Sequence, residues 1–222
     1  MGYPRRVPGL DRSDAARAKF LAALPRRYSP WLHLAVPNIH GAVVIAACVS
    51  ALDGPGPAQW LTPPLVFVMA QAIEWRFHRD LLHYRVAPLQ FLYDAHTVSH
   101  HAIFVPGAME LHAPRELRAV LFPWWAFTML TVMLMPPALA LAWLFGRDVG
   151  LLFMISTHAY FIVYEFLHTI YHLPARSVIL RLWPFRQLAA HHTLHHDPRW
   201  MQRVNFGVST PLWDVVRGTR RS

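Results

Sequence analysis

Long apolar stretches alternate with short polar ones along this chain, and the apolar stretches have the length of membrane spans. Residues 31–52 (WLHLAVPNIHGAVVIAACVSAL) form the first, softened by His33, Pro37 and His40. The turn Asp53-Gly54-Pro55-Gly56-Pro57 ends it, because such a Gly/Pro run cannot continue a helix. A second stretch begins at residue 60, runs to about residue 75 and continues towards Tyr84. The third covers 119–146 and contains Pro136-Pro137, which predict a kink or a local break. The fourth runs from 149 to about 172, separated from the third only by Arg147-Asp148. Crossing a ~30 Å hydrocarbon core takes about 20 helical residues. The pattern therefore predicts an all-α integral membrane protein, with about four transmembrane helices in two hairpins.

Composition agrees with that picture. The chain of 222 residues is 55% hydrophobic and 15% charged, against roughly 45–50% and 25% in an average soluble domain. So apolar a chain is not disordered, and the lone Cys48 excludes an intrachain disulfide framework. The formal charge of +9 would suit nucleic acid only if the basic residues lay on one soluble face. They flank the apolar stretches instead. Seven Lys/Arg precede the first stretch, five lie between Arg76 and Arg118, and eight follow His172, whereas the short turns hold only Arg147. The positive-inside bias then puts both termini and both large polar segments in the cytoplasm. Residues 1–30 mix proline with charge and lack the apolar run of a secretory signal, so they read as a retained basic arm.

Eleven of the fifteen histidines fall in four groups on that cytoplasmic side, as a histidine-rich helical cap. His78 and His83 stand in HRDLLH; His96, His100 and His101 in HTVSHH; His168 and His172 in HTIYH; and His191, His192, His195 and His196 in HHTLHH. Residues four apart share a helix face, so His168 and His172 can reach one metal ion together. His78 and His83, five apart, would diverge by about 140° on an α-helix and point to neighbouring ions. Adjacent pairs such as His100-His101 likewise offer ligands in two directions. So many imidazoles exceed what one ion coordinates, and packing them without metal would be costly. A dinuclear site is expected. His33, His40, His158 and His112 stand alone and read as core or interface residues.

Ligand type alone leaves Zn, Cu, Fe and Ni open. No H-E-x-x-H zinc-protease signature occurs. The carboxylate-bridged di-iron bundle needs two Glu-x-x-His motifs, and only Glu165 with His168 offers that spacing. A membrane metal transporter or sensor would place ligands along a path inside the spans, and these sit at span ends. A membrane zinc hydrolase is the other rival, and would work without dioxygen or reductant.

In order, the four boxes resemble the integral-membrane fatty acid hydroxylase / sterol desaturase superfamily. Tyr164-Glu165-Phe166-Leu167 precedes the third box, and NFGVSTPLWD (205–214) is similar to the family's closing signature. The third and fourth boxes and this ending look most like fatty acid 2-hydroxylases; sterol desaturases and carotenoid hydroxylases follow. The resemblance spans roughly 60–219. It implies a membrane hydroxylase domain over 31–222 and metal ligands at His78, His83, His96, His100, His101, His168, His172, His192, His195 and His196. His191, Glu165, Asn205 and Asp214 are further candidates, as ligands or as partners that orient them. The implied cofactors are two iron ions, with zinc acceptable on purification and dioxygen as co-substrate. The implied reaction takes two electrons and hydroxylates or desaturates an unactivated C–H bond of a fatty acyl or sphingolipid chain. The chain carries no His-Pro-Gly-Gly haem box, so electrons are expected from a separate donor such as cytochrome b5, ferredoxin or a reductase. Twenty Arg against one Lys suggest a bacterial inner membrane, or the endoplasmic reticulum in a eukaryote.

Overall fold

The structure, a computed structural model, describes residues 10–222; the start of the basic arm, residues 1–9, lies outside the described residues. Part of the arm is helical, as α1 (Leu10–Ala23). Then follow α2 (Pro30–Ser50), α3 (Thr62–Phe77), α4 (Ala126–Phe145), α5 (Arg147–Tyr171), α6 (Trp183–His195) and α7 (Leu212–Val216). The described residues contain no strand, only one isolated bridge between Val105 and Ala108. The described residues are all-helical in class.

Three helices, α2, α4 and α5, are long and apolar enough to cross a membrane. Ser29 starts α2 by accepting a hydrogen bond from the Leu32 amide, and Pro30 supplies the preset first turn. The Pro136-Pro137 pair does not interrupt α4, which continues through both prolines. Gly146 ends α4 and starts α5 in one residue, at φ 98° and ψ 151°, a conformation open essentially to glycine alone. The second apolar stretch falls short of a full span: α3 has 16 residues, preceded by a 3-10 turn (Gln59–Leu61) and followed by a π-helix (His78–Leu82).

The long α5 is the central helix and packs against α2, α3 and α4. One side of α4 faces away from the protein, with Val132, Met133, Leu139, Trp143 and Phe145 exposed. So wide an apolar belt needs lipid around it. Inside the bundle, Thr131 on α4 bonds both His40 of α2 (2.9 Å) and His158 of α5 (2.8 Å), while His33 bonds the Phe122 carbonyl (2.7 Å). These three histidines hold segments together, as their isolated positions suggested. At one end of the bundle, the segments 78–122 and 172–222 fold into a cap, and α1 covers one side of it. Ala16 and Phe20 pack there on Ile103, Phe104 and Val120, and Arg17 pairs with the buried Glu116.

Candidate metal centre

Two short π-helices shape the cap. In a π-helix the hydrogen bonds run i→i+5, so residues five apart stack on one face. His78–Leu82 is one such segment, and its rings at His78 and His83 stack at 5.1 Å and 19°. The expected 140° divergence of this pair does not occur, because the α-helical period stops at Phe77. The second π-helix, Asp94–His100, does the same for His96 and His101, whose Nε2 atoms lie 3.0 Å apart. Elsewhere the ordinary α-helical period applies. His168 and His172 meet from the end of α5, and His192 and His196 meet from α6 with Nε2 atoms 3.0 Å apart.

Ten histidines thereby converge in two clusters. His78, His83, His96, His101 and His195 form one; His100, His168, His172, His192 and His196 form the other. Within each cluster the candidate ligand atoms all lie within 4.8 Å of one another. The clusters abut: the His101 and His196 rings stack across the boundary at 4.1 Å. Adjacent residues divide between them, His100 from His101 and His195 from His196, as neighbours on a helix must.

Proton bookkeeping shows what the clusters can hold. The Nδ1 atoms of His78, His100, His172, His195 and His196 face the backbone carbonyls of Phe206 (2.6 Å), Ala119 (2.9 Å), Met109 (2.9 Å), Val204 (2.9 Å) and Phe104 (2.7 Å). A carbonyl only accepts, so each of these Nδ1 atoms carries the proton. His83 reaches the same state through Thr97. That hydroxyl donates its single hydrogen to the Leu82 carbonyl (2.6 Å) and is left to accept from His83 Nδ1 (3.1 Å).

Burial, reinforced by neighbouring imidazoles, pushes His96, His100, His101, His192, His195 and His196 far below the usual histidine range, and burial brings His172 down to about 4. These rings are neutral at physiological pH, with the Nε2 lone pair free wherever Nδ1 holds the proton. Yet His83 and His195 bring Nε2 to Nε2 at 3.0 Å, and His100 and His196 at 3.1 Å. No proton remains for either contact. Facing lone pairs at that distance repel unless a cation lies between them, and a ring whose Nδ1–H is anchored to a carbonyl is the usual metal-binding imidazole. The donor set fits metal.

The closing segment 205–214 builds the wall behind the first cluster. Asp214 is fully buried and accepts from the amides of Phe206 (2.9 Å) and Gly207 (2.8 Å), from Trp75 Nε1 (3.1 Å) and from the Thr219 hydroxyl (2.6 Å). Burial alone would raise its carboxyl, but hydrogen bonds from His191, Thr219 and Gly207 hold it at about 2. Asp214 thus fixes Phe206, and the Phe206 carbonyl fixes His78. Glu74 ties the same loop to the bundle, accepting from the Val208 and Ser209 amides and from the Tyr160 and Ser209 hydroxyls.

Comparison with known proteins agrees with this architecture. The fatty acid hydroxylase profile matches residues 64–219, more than half of the chain. The protein belongs to the fatty acid hydroxylase family. A solved structure described as full-length Scs7p, with only its hydroxylase domain visible, shares the fold at TM-score 0.59 and 19% identity. That match covers 84% of the present chain and 66% of the other, so the present chain spans just under two thirds of the Scs7p chain. No curated protein matches it in sequence.

The remaining sequence candidates stand outside both clusters. His191 joins neither and bonds Asp214 Oδ2 at 3.2 Å. Asn205 adopts φ 57° and bonds the His191 and Arg221 carbonyls and the Arg221 amide, so these side-chain hydrogen bonds all go to backbone. Glu165 accepts from the Phe122 amide (2.9 Å), and its second oxygen is buried with no partner among the described residues. Thr97 and the five carbonyls could not be singled out from sequence, since any residue supplies a carbonyl. The buried Nδ1 atoms of His101 and His192 find no partner among the described residues.

Proposed function

We propose that the protein is a membrane-bound oxygenase whose two histidine clusters each hold one iron ion, and which hydroxylates an unactivated C–H bond of a lipid, most directly a fatty acyl or sphingolipid chain. The observation that carries this reading is the pair of contacts His83–His195 and His100–His196, where lone pairs face each other with no proton between them. Family membership supports a lipid hydroxylase. Bound iron would supply activation of dioxygen and removal of hydrogen from the substrate, given two electrons from a separate donor.

The chain's own residues do the rest. The five carbonyl partners and Thr97 fix the tautomer and direction of six of the ten rings, which raises ligand basicity and selects the geometry. Imidazoles accept zinc readily, so zinc found after purification is compatible with native iron. The apolar belts of α2, α4 and α5 supply the membrane anchor, and we read α3 with its π-helical continuation as a fourth, short span. The Lys/Arg distribution then sets the cap and both termini on the cytoplasmic side.

Lipid profiling of cells producing the wild-type protein or His195→Ala, with an active electron donor supplied, tests the reading. Oxygenated lipid present with the wild type and absent with the variant is expected. Equal oxygenated and unsaturated lipid content in the two would overturn it.

A further inference from the structure

Between the α1–α2 connection and the start of α4 lies a cavity of about 410 Å³ that the metal chemistry does not use. Its size falls within the roughly 300–1,000 Å³ of ligand sites. The charged part of its lining is cationic. Arg27 and Arg118 belong to it, and no Asp or Glu does. The ion pairs among the described residues engage Arg17, Arg76, Arg79, Arg85 and Arg199, and leave Arg27 and Arg118 without a carboxylate.

The lining also includes open apolar side chains. Leu32 is 64% exposed and Trp124 61%, with Trp125 beside them. Tryptophans at helix starts mark the membrane–water boundary, so the cavity lies at the level where lipid headgroups meet acyl chains. The cavity is also fixed by the protein itself. Arg115 holds the connection by donating to the Pro25 (3.0 Å) and Tyr28 (3.2 Å) carbonyls, and the Tyr28 hydroxyl bonds His33 Nδ1 at 2.9 Å.

We propose that this cavity binds an anionic phospholipid, its phosphate between Arg27 and Arg118 and an acyl chain along Leu32, Trp124 and Trp125. The proposal does not depend on the metal chemistry. A zwitterionic head would bring a further cation beside two arginines that lack a counter-charge. A free inorganic anion would leave the apolar side chains bare. Basic pockets between cytoplasmic helix ends are suited to anionic heads, at a gain of roughly fivefold in affinity for each arginine.

Native mass spectrometry of the full chain, released from micelles of equal phosphatidylglycerol and phosphatidylcholine, tests this directly. Retention of phosphatidylglycerol is expected, falling roughly fivefold for each of Arg27→Gln and Arg118→Gln, and unchanged in Arg118→Lys and in the distant Arg176→Gln. Excess inorganic phosphate should not displace the lipid. A second measurement needs no arginine variant: phosphatidylglycerol with brominated chains should quench tryptophan fluorescence more than brominated phosphatidylcholine. That excess should vanish in Trp124→Phe/Trp125→Phe. Equal retention or equal quenching by the two lipids overturns the proposal, as does displacement by phosphate.

Discussion

Replacing Gly207 by alanine isolates the closing loop as the support of the first cluster. An added Cβ would stand 2.2 Å from the Thr210 carbonyl oxygen and 3.0 Å from Asp214 Oδ2, where real Cβ contacts essentially never fall below 3.0 Å. The nearest obstacle is backbone and cannot rotate away, so the loop must move by at least the difference, 0.8 Å. Asp214 binds the amides of both Gly207 and Phe206, so the movement reaches the Phe206 carbonyl. Its 2.6 Å bond to His78 Nδ1 would lengthen to about 3.4 Å if it took the full shift, outside the ~2.7–3.2 Å range of such bonds. Overpacking of this kind costs about 1–3 kcal/mol, and loss of a ligand's orienting partner typically weakens metal about 10–100-fold. Chelator competition on the detergent-purified protein should show one of two ions weakened by that factor and the other unchanged, with a lower melting temperature. Two tightly held ions and an unaltered melt in Gly207→Ala would refute the reasoning.

Other perturbations separate the parts of the account. Thr97→Val removes the acceptor for His83 Nδ1 and should weaken one ion about 10–100-fold in the same competition, whereas Thr97→Ser should restore it. Asp214 has its carboxyl at about 2 against an ordinary 3.8, so its contribution to stability is complete above pH ~4 and is lost as pH falls through 2. That difference is worth roughly 2 kcal/mol, and thermal melts of wild type and Asp214→Asn should converge towards pH ~2; a gap independent of pH would contradict it. Within the membrane, Thr131→Val cuts both the His40 and His158 contacts. Such interhelical bonds average about 0.6 kcal/mol, so a slightly lower melt with full metal content is expected.

Much of this site was legible because helix periodicity is local. The pairs His168/His172 and His192/His196 follow directly from spacing, and the division of His100 from His101 follows from their adjacency. His78/His83 and His96/His101 did not, because two π-helices replace the period assumed for them, and nothing in HRDLLH or HTVSHH announces that change. The second apolar stretch is less simple than its hydropathy suggested: its α-helix stops at Phe77, and the first ligand-bearing segment continues it as a π-helix. Asp214 and Asn205 were visible as motif residues, but their action passes through Phe206 and the backbone around His191. The docking of α1 depends on a long-range pairing of Arg17 with Glu116, which no local pattern in the basic arm encodes.

Anaerobic titration of metal-free protein with iron(II), followed to its stoichiometric end point, tests the central claim that ten lone pairs form two metal sites. The account predicts two ions per chain, reduced to one by His83→Ala and, separately, to one by His100→Ala. An end point of one ion or none in the wild type, or one that neither substitution changes, would contradict it.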